Sequence, residues 1–235
     1  MSLNLYEIIC NITEKKFNPA AWNKELFFYH GSLSKYESQF HDPRFVGLAY
    51  KYRRHSREIK CDLNGRIPLS DNSVDAFQSQ DVIEHIRPEN IIFCLNEVYR
   101  VLKHNCLFRL SLPNYQSPFL KRRSIYNYKG KIIGDAAMGD QVYVEDFDSD
   151  LKIKSSFDEG ERHLWFPTYE LVNKYIQKSN FAKASSCKWI HANLHDESYI
   201  LNEIPHNDVF NVMRCPPSDM RSKGLPVSLI VDLIK

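Results

Sequence analysis

The sequence predicts an α/β fold, a mostly parallel sheet with helices on both faces, as one domain over residues 1–235. Two observations predict it. Short apolar runs bounded by turn residues recur along the chain, and the clearest helix falls between two of them.

The elements follow in order. Leu5, Ile8, Ile9 and Ile12 have helical spacing, so residues 3–15 are expected to be helical. Leu26-Phe27-Phe28-Tyr29 reads as a buried strand that ends in a turn at His30-Gly31-Ser32. Residues 44–48 and 58–61 are the next strand candidates, the latter ending at Asp62-Leu63. Connections this short are near the minimum for parallel crossovers. The turn cluster 68–73 precedes a fourth strand over 74–79. Pro88 and Glu89 suit the first turn of a helix whose apolar face carries Ile92, Leu95, Tyr99 and Leu102. Asn105 can take the left-handed conformation that ends it. Phe108, Leu110 and Leu112 alternate with Arg109 and Ser111 in a fifth strand.

Residues 114–162 lose clear periodicity and carry glycines and an acidic group, which reads as a loop-rich insertion or cap. Thr168–Lys178 is helical, strand-like pieces lie near 184–190, and residues 227–234 are apolar on both faces, as an interior strand is.

Composition sets the bounds. Hydrophobic residues make up 43% and charged residues 26% of the chain, ordinary for a globular protein. Its net charge of +2 argues neither for nor against nucleic acid. No apolar run is long enough to span a membrane. The first residues lack the pattern of a secretory signal, so a cytoplasmic protein is expected. Six cysteines at 10, 61, 94, 106, 187 and 215 form no CxxC pair and read as free, mostly buried thiols. The sequon at Asn11 is then a chance match.

One stretch carries a resemblance. Asp62-Leu63, Pro68-Leu69-Ser70-Asp71-Asn72-Ser73-Val74-Asp75, Glu84-His85, Glu97-Val98-Tyr99-Arg100-Val101-Leu102-Lys103 and Leu110-Ser111-Leu112-Pro113 occur in one order at a set spacing. This resembles the type 11 family of S-adenosylmethionine (SAM) dependent methyltransferases. His163-Leu164-Trp165-Phe166-Pro167-Thr168 is similar to that family's late helix start. The resemblance implies a Rossmann-like class I methyltransferase fold with SAM as cofactor, acting on a small-molecule or sugar-type acceptor. It implies cofactor contacts from the first loop, Tyr29, His30, Gly31 and Ser32. Asp62 and Leu63 would flank the adenine, and Gln80 and Asp81 would face the methionine part. In a parallel sheet, ligands sit beyond the carboxyl ends of the strands, where these residues lie. His85 and His163 are the candidate catalytic residues at the acceptor side.

Two departures bear on the cofactor half. The first loop has one glycine where the family has several for close backbone approach, and Leu48-Ala49-Tyr50 offers no acid for the ribose. An alternative reading is therefore a binding or scaffold protein that keeps the fold without SAM. Asp81-Val82-Ile83-Glu84-His85 also resembles an E-x-x-E-H pattern that holds a divalent cation in some ubiquinone-pathway O-methyltransferases. Glu84-His85 is common in the type 11 family without metal, and no metal is expected. The basic run Lys51, Arg53, Arg54, Arg57 and Lys60 reads as a solvated helix face, so nucleic acid is not an expected partner.

Overall fold

A computed structural model describes residues 25–50, 57–143, 152–156, 161–204, 210–216 and 219–235. The expected N-terminal helix, most of the basic run and the acidic group of the insertion lie outside the described residues.

The core is an eight-stranded sheet. Its strands are β1 (Phe27–His30), β2 (Phe45–Ala49), β3 (Glu58–Lys60), β4 (Val74–Gln80), β5 (Leu102–Pro113), β10 (Ser186–Asn193), β11 (Tyr199–Leu201) and β12 (Ser228–Ile234). The order across the sheet is β11-β10-β12-β5-β4-β1-β2-β3. From β3 to β5 every pairing is parallel, and the pairings of β12 with β5 and with β10 are antiparallel. The apolar final run is the interior strand its composition predicts, buried nearly throughout. The segment after β5 forms two small antiparallel pairs, β6 (Ser124–Tyr126) with β7 (Ile132–Asp135) and β8 (Asp140–Tyr143) with β9 (Lys152–Ser155).

Among the described residues the α-helices are α1 (Ser38–His41), α2 (Ile91–Val101), α3 (Pro118–Lys121) and α4 (Tyr169–Lys178). Helices α2 and α4 pack on one face, where Leu95, Val98, Val172 and Ile176 meet Phe28, Phe77 and Phe108. The opposite face carries Phe27, Tyr29 and Phe45 and is covered by Leu33, Phe40 and Phe210. Helix α2 begins after a 3-10 turn at Pro88–Asn90 and ends at Val101, earlier than its apolar face suggests. Asn105 does take a left-handed φ of 61°, but inside β5, where its N–H donates to the Lys235 carbonyl.

Several of the recurring motif residues hold this frame together. The Arg100 guanidinium donates to both Glu97 carboxylate oxygens, to the carbonyls of Ile67 and Leu69, and to Asp71. Glu97 also accepts from the Ile67 N–H. The Pro68–Ser73 turn is thereby fixed to α2. Lys103 pairs with Asp75 at 2.7 Å, and Asp75 accepts from the Leu26 N–H, which locks β4 to the start of β1. Arg57, counted with the basic run, instead donates to the carbonyls of Phe40, Asp42 and Phe45. It is a loop clamp because its reach satisfies carbonyls that no strand pairs. Of the described cysteines none is in a disulfide; Cys61, Cys94 and Cys215 are buried and Cys187 is exposed.

Arg109 in β5 and Asp232 in β12 form a buried bidentate pair at 2.7 Å, and Arg109 also donates to the Phe210 carbonyl. Removing one partner of such a pair strands the other charge, at a cost of about 3–5 kcal/mol. Asp232→Asn is expected to lower the unfolding free energy by about that amount in urea denaturation. A change under about 1 kcal/mol, the scale of an exposed pair, would show that water reaches Arg109.

Candidate functional site

The parallel strands β1 to β4 end at one edge of the sheet, and a cavity of about 480 Å³ opens there. Gly31, Asp62, Leu63, Asp81 and His85 border it, together with Leu48, Tyr50, Asn64, Val82 and Leu164. Five of the ten site residues expected from the sequence thus meet at one place.

Gly31 has φ 91°, a conformation that suits glycine, and a Cβ there would stand 3.3 Å from a Val82 methyl. Its N–H donates to the Leu48 carbonyl at 2.8 Å, which closes the first loop over the end of β2. Asp62 Oδ1 accepts from the Asn64 N–H at 2.9 Å and from its side-chain amide at 3.0 Å, a local turn cap. Asp62 Oδ2 has no hydrogen-bond partner among the described residues. Tyr50, 60% exposed, stands at the cavity where an acid would face a ribose.

Asp81 follows β4 with φ 51° and pairs with Arg214 at 2.9 Å. Burial pushes its carboxyl above the usual range, against the pull of Arg214 and Arg221. Asp81 also borders a second cleft of about 710 Å³ with Arg214 and Arg221.

Five expected residues lie elsewhere. The strand period of two sends Tyr29 to the face of Phe27 and Phe45, where burial and the nearby Glu37 hold its hydroxyl well above its usual pKa. His30 points to the other face and is fully buried, edge-on to Phe77 at 4.6 Å. Ser32 is half-buried and does not border the cavity. Gln80 is spent on anchoring, since it donates to Glu37 and accepts from the Met213 N–H. His163 is buried behind His85, its ring 4.9 Å away and nearly perpendicular. The family pattern fixes positions in sequence; the pleat and the packing of 162–166 decide which side chains reach the cavity.

The turn that carries His85 is tied down on several sides. Ile83–His85 is a 3-10 turn, the Leu164 N–H donates to the Glu84 carbonyl at 2.8 Å, and Trp165 Nε1 donates to the Ile83 carbonyl at 2.9 Å. His85 Nδ1 meets the Arg162 carbonyl at 2.8 Å. Burial lowers the pKa of His85 and pushes that of His163 down to about 3. Sequence reasoning missed Tyr115, Asp135 and Arg123, which back His163, because they come from the aperiodic segment after β5. Arg214 was missed because it lies between β11 and β12, more than a hundred residues from Asp81, and no local pattern marks any of the four.

The comparisons with known proteins agree with this architecture. Residues 42–110 match the family model for the type 11 methyltransferase domain. A SAM-dependent methyltransferase of Thermotoga maritima, described as a possible histamine N-methyltransferase, is 13% identical with TM-score 0.51. The match covers 98% of this chain and 93% of that one. The fold is that of the class I methyltransferases. A SAM-dependent methyltransferase of Archaeoglobus fulgidus shares this methyltransferase fold at 14% identity and TM-score 0.50, over 98% of this chain and 94% of that one. No curated protein matches the sequence. Among the described residues no helix is long and apolar enough to cross a membrane.

Neither ring nitrogen of His30 has a hydrogen-bond partner, and burial lowers its pKa to about 3 from an ordinary 6.5. Between those values the unfolded chain takes up a proton that the folded chain refuses, so stability falls as pH drops below 6.5. His163 acts in the same direction. Glu84, whose pKa burial raises, acts oppositely, since the folded chain keeps a proton that the unfolded chain releases above 4.5. His30→Leu removes only the first contribution. Its stability is expected to decline more shallowly than the wild type, by about 1.4 kcal/mol per pH unit between about pH 6 and 4. Urea denaturation across that range measures it, and an unchanged slope would mean that His30 protonates within the fold.

Proposed function

We propose that this protein binds SAM in the 480 Å³ cavity and transfers its methyl group to a small-molecule or sugar-type acceptor. The observation that carries the reading is the convergence of Gly31, Asp62, Leu63 and Asp81 on one cavity at the carboxyl edge of the parallel strands. Its volume lies within the roughly 300–1,000 Å³ usual for small-molecule sites.

Asp62 Oδ2 would accept from the adenine amine while Oδ1 keeps the turn. Leu63 would supply apolar contact and its backbone. Gly31 would let the first loop approach the ligand, and Tyr50 would take the place of a ribose acid. Asp81, steadied by Arg214, would face the methionine ammonium. Bound SAM supplies a sulfonium methyl open to in-line attack by a nucleophile. The residues around it must hold it, exclude water and receive the acceptor's proton. His85 is the imidazole at the cavity, and its depressed pKa keeps it neutral and able to accept that proton. His163 would act through His85 as a positioning residue.

A further cleft of about 930 Å³ shares Leu164 with the cavity and is lined by Tyr115, Tyr126, Lys131 and Phe166. Aromatic faces beside a lysine suit a ring-bearing or sugar-type acceptor. The folded chain as a single domain, with the segment near 114–162 as its cap, is consistent with that placement.

The second reading, a binding protein that keeps the fold without SAM, is favoured by the single glycine of the first loop and by Arg214 already neutralising Asp81. One titration separates the two. SAM or its demethylated product at a hundredfold excess over Kd is expected to stabilise the fold by ~2.7 kcal/mol and raise its Tm. Asp62→Asn keeps the turn acceptor but turns a donor toward the adenine amine, so the variant should fold normally and lose the shift. No shift of the wild type at millimolar cofactor would reject SAM binding in favour of the second reading.

A further inference from the structure

Behind His85 lies a buried carboxyl group, Glu84, to which the methyl-transfer reading gives no role. Glu84 is fully buried, and neither carboxylate oxygen has a hydrogen-bond partner in another residue. Its Oε1 stands 3.9 Å from His85 Nε2 and 3.8 Å from His163 Nε2. One ligand atom from each of the three residues lies within 4.8 Å of the others.

The proton positions follow from the outer partners. A carbonyl only accepts, so His85 Nδ1 carries the proton it gives to the Arg162 carbonyl, and its Nε2 is left with a lone pair. On the other side, Tyr115 Oη is 2.5 Å from Asp135 Oδ2 and 2.6 Å from His163 Nδ1. Arg123 donates to the same Asp135 oxygen at 2.8 Å. Asp135 Oδ1 accepts from the Ala137 N–H, so the carboxylate serves as an acceptor throughout. The single Tyr115 proton therefore goes to Asp135, and Tyr115 Oη accepts from His163 Nδ1–H. His163 Nε2 is likewise left with a lone pair. Two imidazole lone pairs and the Glu84 carboxyl group thus face one another in a buried space, and no other described residue donates into it. Such an arrangement repels itself unless a positive species sits at its centre.

We propose that Glu84, His85 and His163 bind a divalent transition-metal cation of the zinc class. Two imidazole nitrogens and one carboxylate suit that class, and a hard cation such as magnesium prefers oxygen ligands. Around a tetrahedral ion with bonds of ~2.0–2.1 Å the ligand atoms stand ~3.3 Å apart, so each histidine nitrogen needs to close on Glu84 Oε1 by about half an ångström and the two histidines on each other by at most about 1.5 Å. Each imidazole already has its other nitrogen held, His85 by a carbonyl and His163 by the Tyr115–Asp135–Arg123 relay, the outer support that ligating histidines ordinarily have. The site is not the linear Asp81-Val82-Ile83-Glu84-His85 pattern. Asp81 is outside the cluster and paired with Arg214, and His163 comes from a distant segment.

His85 is the member of the triad that borders the 480 Å³ cavity. A bound cation would take the lone pair that His85 otherwise offers to an acceptor's proton. Metal binding is measured without cofactor or acceptor, so it stands or falls independently of SAM binding.

The test uses the full chain, stripped with a chelator and titrated with Co²⁺ and then Zn²⁺. One equivalent of Co²⁺ is expected to bind with visible d–d absorption, and Zn²⁺ should displace it. X-ray absorption of the wild-type Co²⁺ form should read two imidazoles and no thiolate, a readout that needs no variant. Glu84→Gln and His163→Gln should abolish stoichiometric binding with unchanged circular dichroism. Tyr115→Phe, which loosens His163 without removing a ligand, should weaken binding by ~10–100-fold. Failure of the folded wild type to bind Co²⁺ or Zn²⁺, a spectrum with sulfur ligands, or full binding by a folded His163→Gln variant would each overturn the proposal. In the first case the triad holds a proton on Glu84 in place of a metal.

Discussion

Arg100 is the side chain on which the architecture most depends. Its five donors reach both oxygens of Glu97, two carbonyls of the 67–69 turn and Asp71, so one planar fork closes the connection between β3 and β4 onto helix α2. That connection decides where β4 starts. With Asp75 held by Lys103 and by the Leu26 N–H, β4 enters the sheet in register with β1 and β5. The carboxyl ends of β1, β2, β3 and β4 then come to one edge, and the cavity is the space left between them.

The chain handles its buried charges in two ways. Arg109 and Asp232 neutralise each other across β5 and β12 with bidentate geometry, and Arg109 is further satisfied by the Phe210 carbonyl. That pair also fixes the 210 segment over a sheet face that carries only the short helix α1 among the described residues. Glu84 is treated differently. It is as deeply buried, but the side-chain groups at 3.8 and 3.9 Å from its carboxyl are two histidine nitrogens whose protons point away. Glu84, like His30, is thus left without a hydrogen-bond partner, and it lies behind His85 at the edge of the cavity.

The resemblance to the type 11 family was carried by residues such as Glu97, Arg100, Lys103, Asp71 and Asp75. In the structure these are clamps of the frame. This explains why the sheet, helix α2 and the interior strand β12 were legible in the sequence. Their signals are local: alternation, helical spacing, and ion pairs at fixed offsets. The site was legible only in part. Asp62, Leu63 and Asp81 follow directly from their strands and reach the cavity. His30 does not, because one step along the pleat turns its ring into the core against Phe77. Gln80 does not, because a segment more than a hundred residues later claims its amide. Position along a strand was readable, but the face toward a ligand depended on neighbours far away in sequence.

The sequence by itself determined an α/β frame with a cavity edge at Gly31, Asp62 and Asp81, since strand period, helix period and turn chemistry act over a few residues. Only the tertiary structure decided that His163 backs His85, that Arg214 meets Asp81, and that Tyr115 and Asp135 set the proton on His163. Those contacts join segments tens to over a hundred residues apart, and nothing in the local chain encodes a meeting that depends on how the whole sheet is covered.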